Sequence, residues 1–335
     1  MQLTFVLGLF VALFAPFTSE AATAQMRALL MTGYGASDVL RLHRIPVPAP
    51  AAGEVRIRIH AASINPIDWK LRSGQLQKSF PVSLPYIPGR DVAGTIDAVG
   101  SGVTRWKAGD DVIALLEGGG VAEYVNVPGE NVALKPPKLS FEEAAGIPTA
   151  SLAAWRTLIG NADIKPGQRV LIHGGAGGVG STAVQLAHWR GAHVIATASA
   201  RNHEYLKAIG ADEVIDYRTT RFEDVAKNVD VVLDTVGGDT LERSPAVLRD
   251  GGTLLSIVAR LPAQACSERR LHCPDPSTAT QEQPGEELAK LAQLFDSDAL
   301  KISIEAEFPL DQAAKALELS ETGRARGKII VRVID

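Results

Sequence analysis

Apolar and polar residues alternate with a period of two along "GEVRIRIHAASIN" (Gly53–Asn65), and again in "DVAGTIDAVG" (Asp91–Gly100) and "GVAEYVNV" (Gly120–Val127). Successive side chains of a strand point to opposite faces, so this period predicts strands buried on one side. Turn-forming clusters separate them: "PAPAAGE", "KAGDD" and "VPGEN". Residues 26 to about 150 therefore predict a partly open β-barrel with few helices.

Beyond 150 the pattern changes. "QRVLIH" (Gln168–His173) carries the continuous apolar run Val170, Leu171, Ile172, which suits a strand covered on both faces. "GGVGSTAVQLAHWRG" then places Val179, Ala183, Leu186 and Ala187 on one helical stripe, with Gly191 as a stop. A second strand (His193–Thr197), a helix in "NHEYLKAIG" and a third strand (Glu213–Tyr217) complete a βαβαβ unit. "VDVVLDTVGG" and "GGTLLSIV" predict a fourth and a fifth strand, with a helix over Leu241–Leu248 between them. Ala259–Glu287 is polar and Pro-rich and predicts a loop. The tail alternates helix, strand, helix, strand. The expected fold is α/β: a barrel domain over 26–150, completed by about 300–335, and a doubly wound parallel-sheet domain over 151–299.

The turn between the first parallel strand and its helix reads "HGGAGGVG" (His173–Gly180). Gly175, Gly177 and Gly180 fit G-x-G-x-x-G, with Ala176, Gly178 and Val179 between them. In that motif the first glycine permits a tight turn. The second lets a pyrophosphate approach the backbone, and the third lets helix and strand pack closely. Strand before, helix after and a βαβ continuation make this a dinucleotide site. NAD-binding units place an acid about 20 residues further on, against the ribose 2′-hydroxyl. Here "ATASARN" (Ala196–Asn202) holds no carboxylate and offers Ser199, Arg201 and Asn202 instead. A guanidinium pairs with a 2′-phosphate that an acid would repel, so NADP(H) is expected over NAD(H). The same residues also read as an exposed helix-start arginine and a helix N-cap.

The chain has 335 residues, 46% hydrophobic and 21% charged, with a net charge of −4. That is ordinary globular composition for about two domains. No basic run points to nucleic acid. The uncharged stretch Leu3–Phe17 is short for a stable membrane span. Followed by Ala22 and Ala24 in an A-x-A arrangement, it suggests a signal peptide over 1–24 and a periplasmic or secreted protein. The alternative is a cytoplasmic protein starting at Met26. The two cysteines, Cys266 and Cys273, form a disulfide in an oxidising compartment and stay thiols in a reducing one.

Six segments together resemble the medium-chain dehydrogenase/reductase superfamily: "INPIDWKLRSG", "IPGRDVAGTIDAVGSGVTRWKAGDDV", "GGGVAEYV", "GGAGGVGSTAVQLA", "GADEVIDYR" and "GRARGKIIV". They are most similar to its zinc-independent, NADPH-using branch, the quinone oxidoreductases and alkenal/one oxidoreductases. The resemblance implies a GroES-like barrel beside a Rossmann domain, and hydride transfer from NADPH to an enone, alkenal or quinone. It also implies Tyr217 on the 2′-phosphate side, and Val236, Gly237, Ser256 and Val258 near the nicotinamide half. A homodimer is compatible with it. Zinc-dependent members have a Cys near the position of Asn65 and a His at Arg90 or Asp91, so no metal is expected. Relatives often have Thr at the position of Ala153. Asn65 and Lys70 in "INPIDWK" are the candidate donors to a substrate oxygen, as catalytic residues. Lys70 reads equally as an exposed helix lysine, and Asn65 as a turn residue before Pro66. A non-catalytic NADPH-binding sensor on the same scaffold is the competing function.

Overall fold

The computed structural model describes residues 24–275 and 282–334. The segment expected to be a signal peptide therefore lies, before Ala24, outside the described residues.

The alternating segments form the expected strands. Glu54–Ile64 buries Val55, Ile57 and Ile59 completely and turns Arg56 and Arg58 away from them. From Ala61 onward the alternation ends, because both faces are covered. Ala62 and Ile64 join the barrel core, while Ala61 joins the apolar cluster that reaches the parallel sheet. This strand pairs antiparallel with Asp91–Val99, with Tyr124–Pro128 and with Lys328–Arg332. The full path of this sheet runs 304–309, 328–332, 54–64, 91–99, 111–115, 132–134. Two strands from the tail thus complete the sheet begun near residue 54, and only the pair 304–309 and 328–332 runs parallel.

The second sheet is all parallel, in the order 213–216, 193–198, 169–172, 229–234, 248–256. The chain moves outward one way from Arg169–Ile172 and then returns to its other side at Val229–Asp234. A crevice opens at the carboxyl ends where that order reverses, and ligands of such sheets bind there. The glycine-turn helix, Gly178–Trp189, is buried on most sides, Ala183, Leu186 and Ala187 completely. One apolar cluster runs from Ala93 and Ile330 in the first sheet to Val170 and Val231 in the second.

Three local expectations change. The helix expected over Leu241–Leu248 is instead Asp239–Arg243, followed by a 3-10 turn over Ser244–Val247. Pro245 supplies no N–H and crowds the preceding carbonyls, which ends the α-helix early. Leu248 already belongs to the strand Leu248–Ser256. The expected loop Ala259–Glu287 contains a short helix, Ala263–Glu268, and its end belongs to the helix Pro284–Asp296. Within it Cys266 and Cys273 form a disulfide. His272 extends the sheet edge: its N–H donates to the Gly252 carbonyl and its carbonyl accepts from Leu254. Finally, the expected domain boundary at 150/151 falls inside the helix Pro148–Trp155.

Among the described residues no helix is long and apolar enough to cross a membrane.

Candidate active site

The crevice continues into a cleft of about 1190 Å³ lined by both sheets' ends and by the tail. The glycine turn forms one wall. Its left-handed residue is Gly174 (φ +68°), one position before the motif's first glycine. The motif's third glycine is needed for packing: a Cβ on Gly180 would lie 2.2 Å from the Gly174 carbonyl oxygen. A Cβ on Gly177 would meet only that oxygen, at 3.5 Å, so the backbone there faces open space. Gly177 caps the helix Gly178–Trp189, whose first N–H groups have no partner within the helix and favour an anion.

Charge along the cleft has one sign. On the side of the parallel sheet it is lined by Arg201, Arg218, Arg221, Arg243 and Arg324, and on the barrel side by Lys70, Arg90 and Lys328. Among the described residues no Asp or Glu lines it, on a chain whose net charge is −4. Arg221 and Arg243 pair with Glu223, at 3.2 and 2.7 Å. Among the described residues Arg201, Arg218 and Arg324 have no carboxylate partner; one Arg201 nitrogen donates to the Arg324 carbonyl at 2.7 Å. A polyanion is the ligand such a cleft fits.

The expected cofactor residues divide. Ala176, Gly177, Gly178, Val179, Gly180, Ser199, Arg201, Asn202, Tyr217, Val236 and Val258 line the cleft. Gly175, Gly237 and Ser256 do not. A Cβ on Gly175 would meet Ala196 at 2.9 Å, so this glycine serves close packing. Buried Ser256 donates to Asp234, which also accepts the Val236 and Gly237 N–H groups. These two residues thus shape the ends of their strands from behind. Ser199 stands before a 3-10 turn without a capping bond from its side chain. His173, beneath the glycine turn, is fully buried between Thr197 and Ser244, each at 3.2 Å. Burial pushes its pKa down to about 4, so the ring is neutral.

The barrel side is a buried network. Asn65 ends the strand Glu54–Ile64 and precedes the helix Pro66–Arg72, whose first residue is a proline with φ suited to that position. Its backbone N–H donates to Asp68 at 2.7 Å. Asp68 also accepts from Gly89 at 2.9 Å, yet burial outweighs both donors and raises its pKa to about 6. The Asn65 side chain donates to Asp91 Oδ2 at 2.8 Å and accepts from Lys328 Nζ at 2.6 Å. The other Asp91 oxygen accepts from the Thr149 N–H at 2.9 Å and from its hydroxyl. Lys70 lines the cleft half-buried; its ammonium lies 5.7 Å from the Trp69 ring centroid and makes no hydrogen bond or ion pair among the described residues. Trp69 itself lies outside the lining, and Ala153 is within it.

Sequence reasoning did not single out Arg218, Arg324, Thr149 or Lys328. Arg218 stands beside Tyr217 in "IDYR", and Arg324 and Lys328 lie in "GRARGKIIV", so a signal existed for the segments but not for the residues. Among the described residues no group of three or more His, Cys, Asp or Glu gathers to hold a metal.

Residues 51–137 match the family described as alcohol dehydrogenase GroES-like domain, and residues 209–331 the family described as zinc-binding dehydrogenase. A chloroplast quinone oxidoreductase of Triphysaria versicolor is 35% identical over 91% of this chain and 98% of its own. The 2-methylene-furan-3-one reductase of Solanum lycopersicum is 38% identical, over 95% of this chain and 81% of its own. The Escherichia coli quinone oxidoreductase, solved in complex with NADPH, superposes with a TM-score of 0.84 at 30% identity, covering 92% of this chain and all of that one. With its barrel, its glycine turn and its cationic cleft, the chain belongs to the medium-chain dehydrogenase/reductase superfamily of oxidoreductases, alongside the quinone and alkenal/one oxidoreductases.

Proposed function

We propose that this chain is an NADPH-dependent, zinc-independent reductase of α,β-unsaturated carbonyls (enones or alkenals) or quinones. The observation that carries the reading is the cleft itself. Among the described residues it is lined by cations and by no carboxylate, and it opens at the switch point beside a glycine turn. The NADPH complex of the related quinone oxidoreductase supports the cofactor. The names of the relatives, one a quinone oxidoreductase and one a reductase of a methylene ketone, support the substrate class.

Bound NADPH would supply a hydride. The chain's own residues do the rest. The glycine-turn N–H groups receive the pyrophosphate, and Arg201 and Arg218 receive the 2′-phosphate, with Ser199 and Asn202 beside it. Asn65 and Lys70 hold the substrate oxygen. As the β-carbon takes the hydride, an electron pair moves onto that oxygen, and donors placed there stabilise the transition state most. Solvent water then supplies the balancing proton, to the α-carbon of an enone or alkenal or to the oxygen of a quinone. Zinc independence rests on the donor set: Arg90 is a cation, and Asp91 is already committed to Asn65, Thr149 and Lys328.

The test is loss of reduced-nicotinamide absorbance with methyl vinyl ketone, 2-nonenal and p-benzoquinone, each with NADPH and with NADH, before and after chelation. Turnover faster with NADPH and indifferent to the chelator is expected. A preference for NADH, or loss of activity on chelation, overturns the corresponding part of the reading.

A further inference from the structure

Asn65 sits between two groups of fixed polarity. Asp91, fully buried, is an acceptor on one side, and Lys328, 4% exposed, is a donor on the other. An amide can be turned end for end, and its partners decide which way it points. Here the reversed amide would set its NH₂ against an ammonium and its oxygen against a carboxylate. Only one orientation satisfies both. In it Asp91 takes one Nδ2 hydrogen, and the second remains for the cleft that Asn65 lines. Lys328 also closes the ion pair with Asp91 at 3.3 Å, so no buried charge is left uncompensated. Its stem runs beside the glycine turn, where a Cβ on Gly178 would come within 3.0 Å of Lys328 Cδ. The preceding residue, Gly327, donates its N–H to the Ala176 carbonyl at 2.9 Å. The segment that orients the amide is thus fastened to the wall that would hold the cofactor.

We propose that Lys328 is a positioning residue: with Asp91 it locks the Asn65 amide so that only a hydrogen-bond donor faces the cleft. The site then selects substrates whose oxygen gains negative charge as the reaction proceeds, and disfavours groups that would themselves donate at that point. This rests on the reading of Asn65 as the donor to a substrate oxygen.

The test is a mutant cycle on the full chain, read by kcat and KM with methyl vinyl ketone or p-benzoquinone and by NADPH binding through fluorescence. The double variant Lys328→Met/Asp91→Asn removes both charges together, avoiding a lone buried carboxylate. Its kcat is expected to fall roughly 100-fold, the lower end of the range for a lost oxyanion donor. NADPH affinity should stay within about twofold, since one positive and one negative charge leave together and Arg201, Arg218 and the glycine turn are unaltered. Asn65→Ala should cost a similar factor, and the triple variant should cost no more than Asn65→Ala alone, because all three act through one amide. A triple variant slower by the product of both factors overturns the positioning role while leaving Asn65 as the donor. An Asn65→Ala variant with wild-type kcat overturns the donor reading itself, and the inference with it. The double variant Lys328→Gln/Asp91→Asn also removes both charges but keeps polar atoms at both ends of the amide, and it serves if the methionine variant does not fold. About a fivefold loss of kcat at unchanged NADPH affinity is expected from losing the charges of the lock. Unchanged kcat there overturns the proposal.

Discussion

The two ends of the cleft are built in opposite ways. The adenosine end is made of backbone and of solvated guanidiniums: a glycine turn, a helix N-terminus, and Arg201, Arg218 and Arg324 without carboxylate partners among the described residues. The barrel end is made of buried side chains that satisfy one another: Asn65, Asp91, Thr149 and Lys328. One end is left electrostatically incomplete, so that an anion completes it. The other is complete before any substrate arrives and offers a directed donor. An affinity site tolerates loose cations, because phosphate charge is spread over several oxygens. A reaction site needs its donors fixed where charge develops, since reorienting them during the reaction raises the barrier.

Removing the loose cations should have the largest effect. Arg201→Ala/Arg218→Ala takes away two charge-assisted contacts to a 2′-phosphate, each worth about 1.5–3 kcal/mol. The ratio of kcat/KM for NADPH over NADH is expected to fall roughly a thousandfold, with kcat at saturating cofactor little changed. An unchanged ratio would show that neither guanidinium reads the phosphate, and would remove the incomplete end from the comparison.

The two ends also differ in what acid does to them. His173, under the glycine turn, has a pKa near 4 in the folded protein against an unfolded value near 6.5. The unfolded chain therefore binds the extra proton first, and this group's contribution is present above pH 6.5 and lost as pH falls toward 4. Asp68, under Asn65, is raised to about 6 from 3.8. Here the folded chain binds the proton first, so its contribution is fullest below pH 3.8 and is lost as pH rises through 6. Each spans about 3 kcal/mol, and between pH 4 and 6 they oppose each other. Urea midpoints at pH 7.5 and 4.5 separate them. Asp68→Asn should lose more stability on acidification than the parent does, and His173→Asn should lose less. Identical pH slopes in all three proteins would mean that neither group changes its proton affinity on folding.

The same contrast explains what could be read from sequence. The adenosine end is local: the glycine turn, its strand and its helix are contiguous, and periodicity finds all of them. Even there, spacing does not tell which glycine turns left-handed and which packs. Gly174 carries the positive φ, while Gly175 lies against Ala196. The barrel end is not local. Asn65 and Lys328 are 263 positions apart and meet only because the strand Lys328–Arg332 pairs with Glu54–Ile64. Periodicity shows that each is a strand, but nothing in either segment reports the register that brings the ammonium to the amide. Asn65 and Lys70 were legible because they share one segment, whereas their supports come from three others.

Apolar residues at the barrel end give the smallest expected effect and sharpen the comparison on the substrate side. Phe80 lines the cleft yet is 54% exposed, and half-buried Leu76 lines it too. Both are fastened to the helix that carries Lys70: the Leu76 N–H bonds the Lys70 carbonyl at 3.4 Å, and the Phe80 N–H bonds the Leu76 carbonyl at 2.7 Å. Val258, on the opposite lobe, is 39% exposed in the same cleft. Large apolar side chains held open to solvent beside a hydrogen-bond donor suit a substrate with an apolar tail behind its reacting carbonyl. Covering the exposed half of one phenylalanine is worth about 1 kcal/mol. Phe80→Ala should therefore raise KM for 2-nonenal about fivefold and leave KM for acrolein, which has no tail, nearly unchanged. Equal changes for both aldehydes would place Phe80 with the loop that supports Lys70 rather than with the substrate. The specificity of this end would then come from the oriented amide alone.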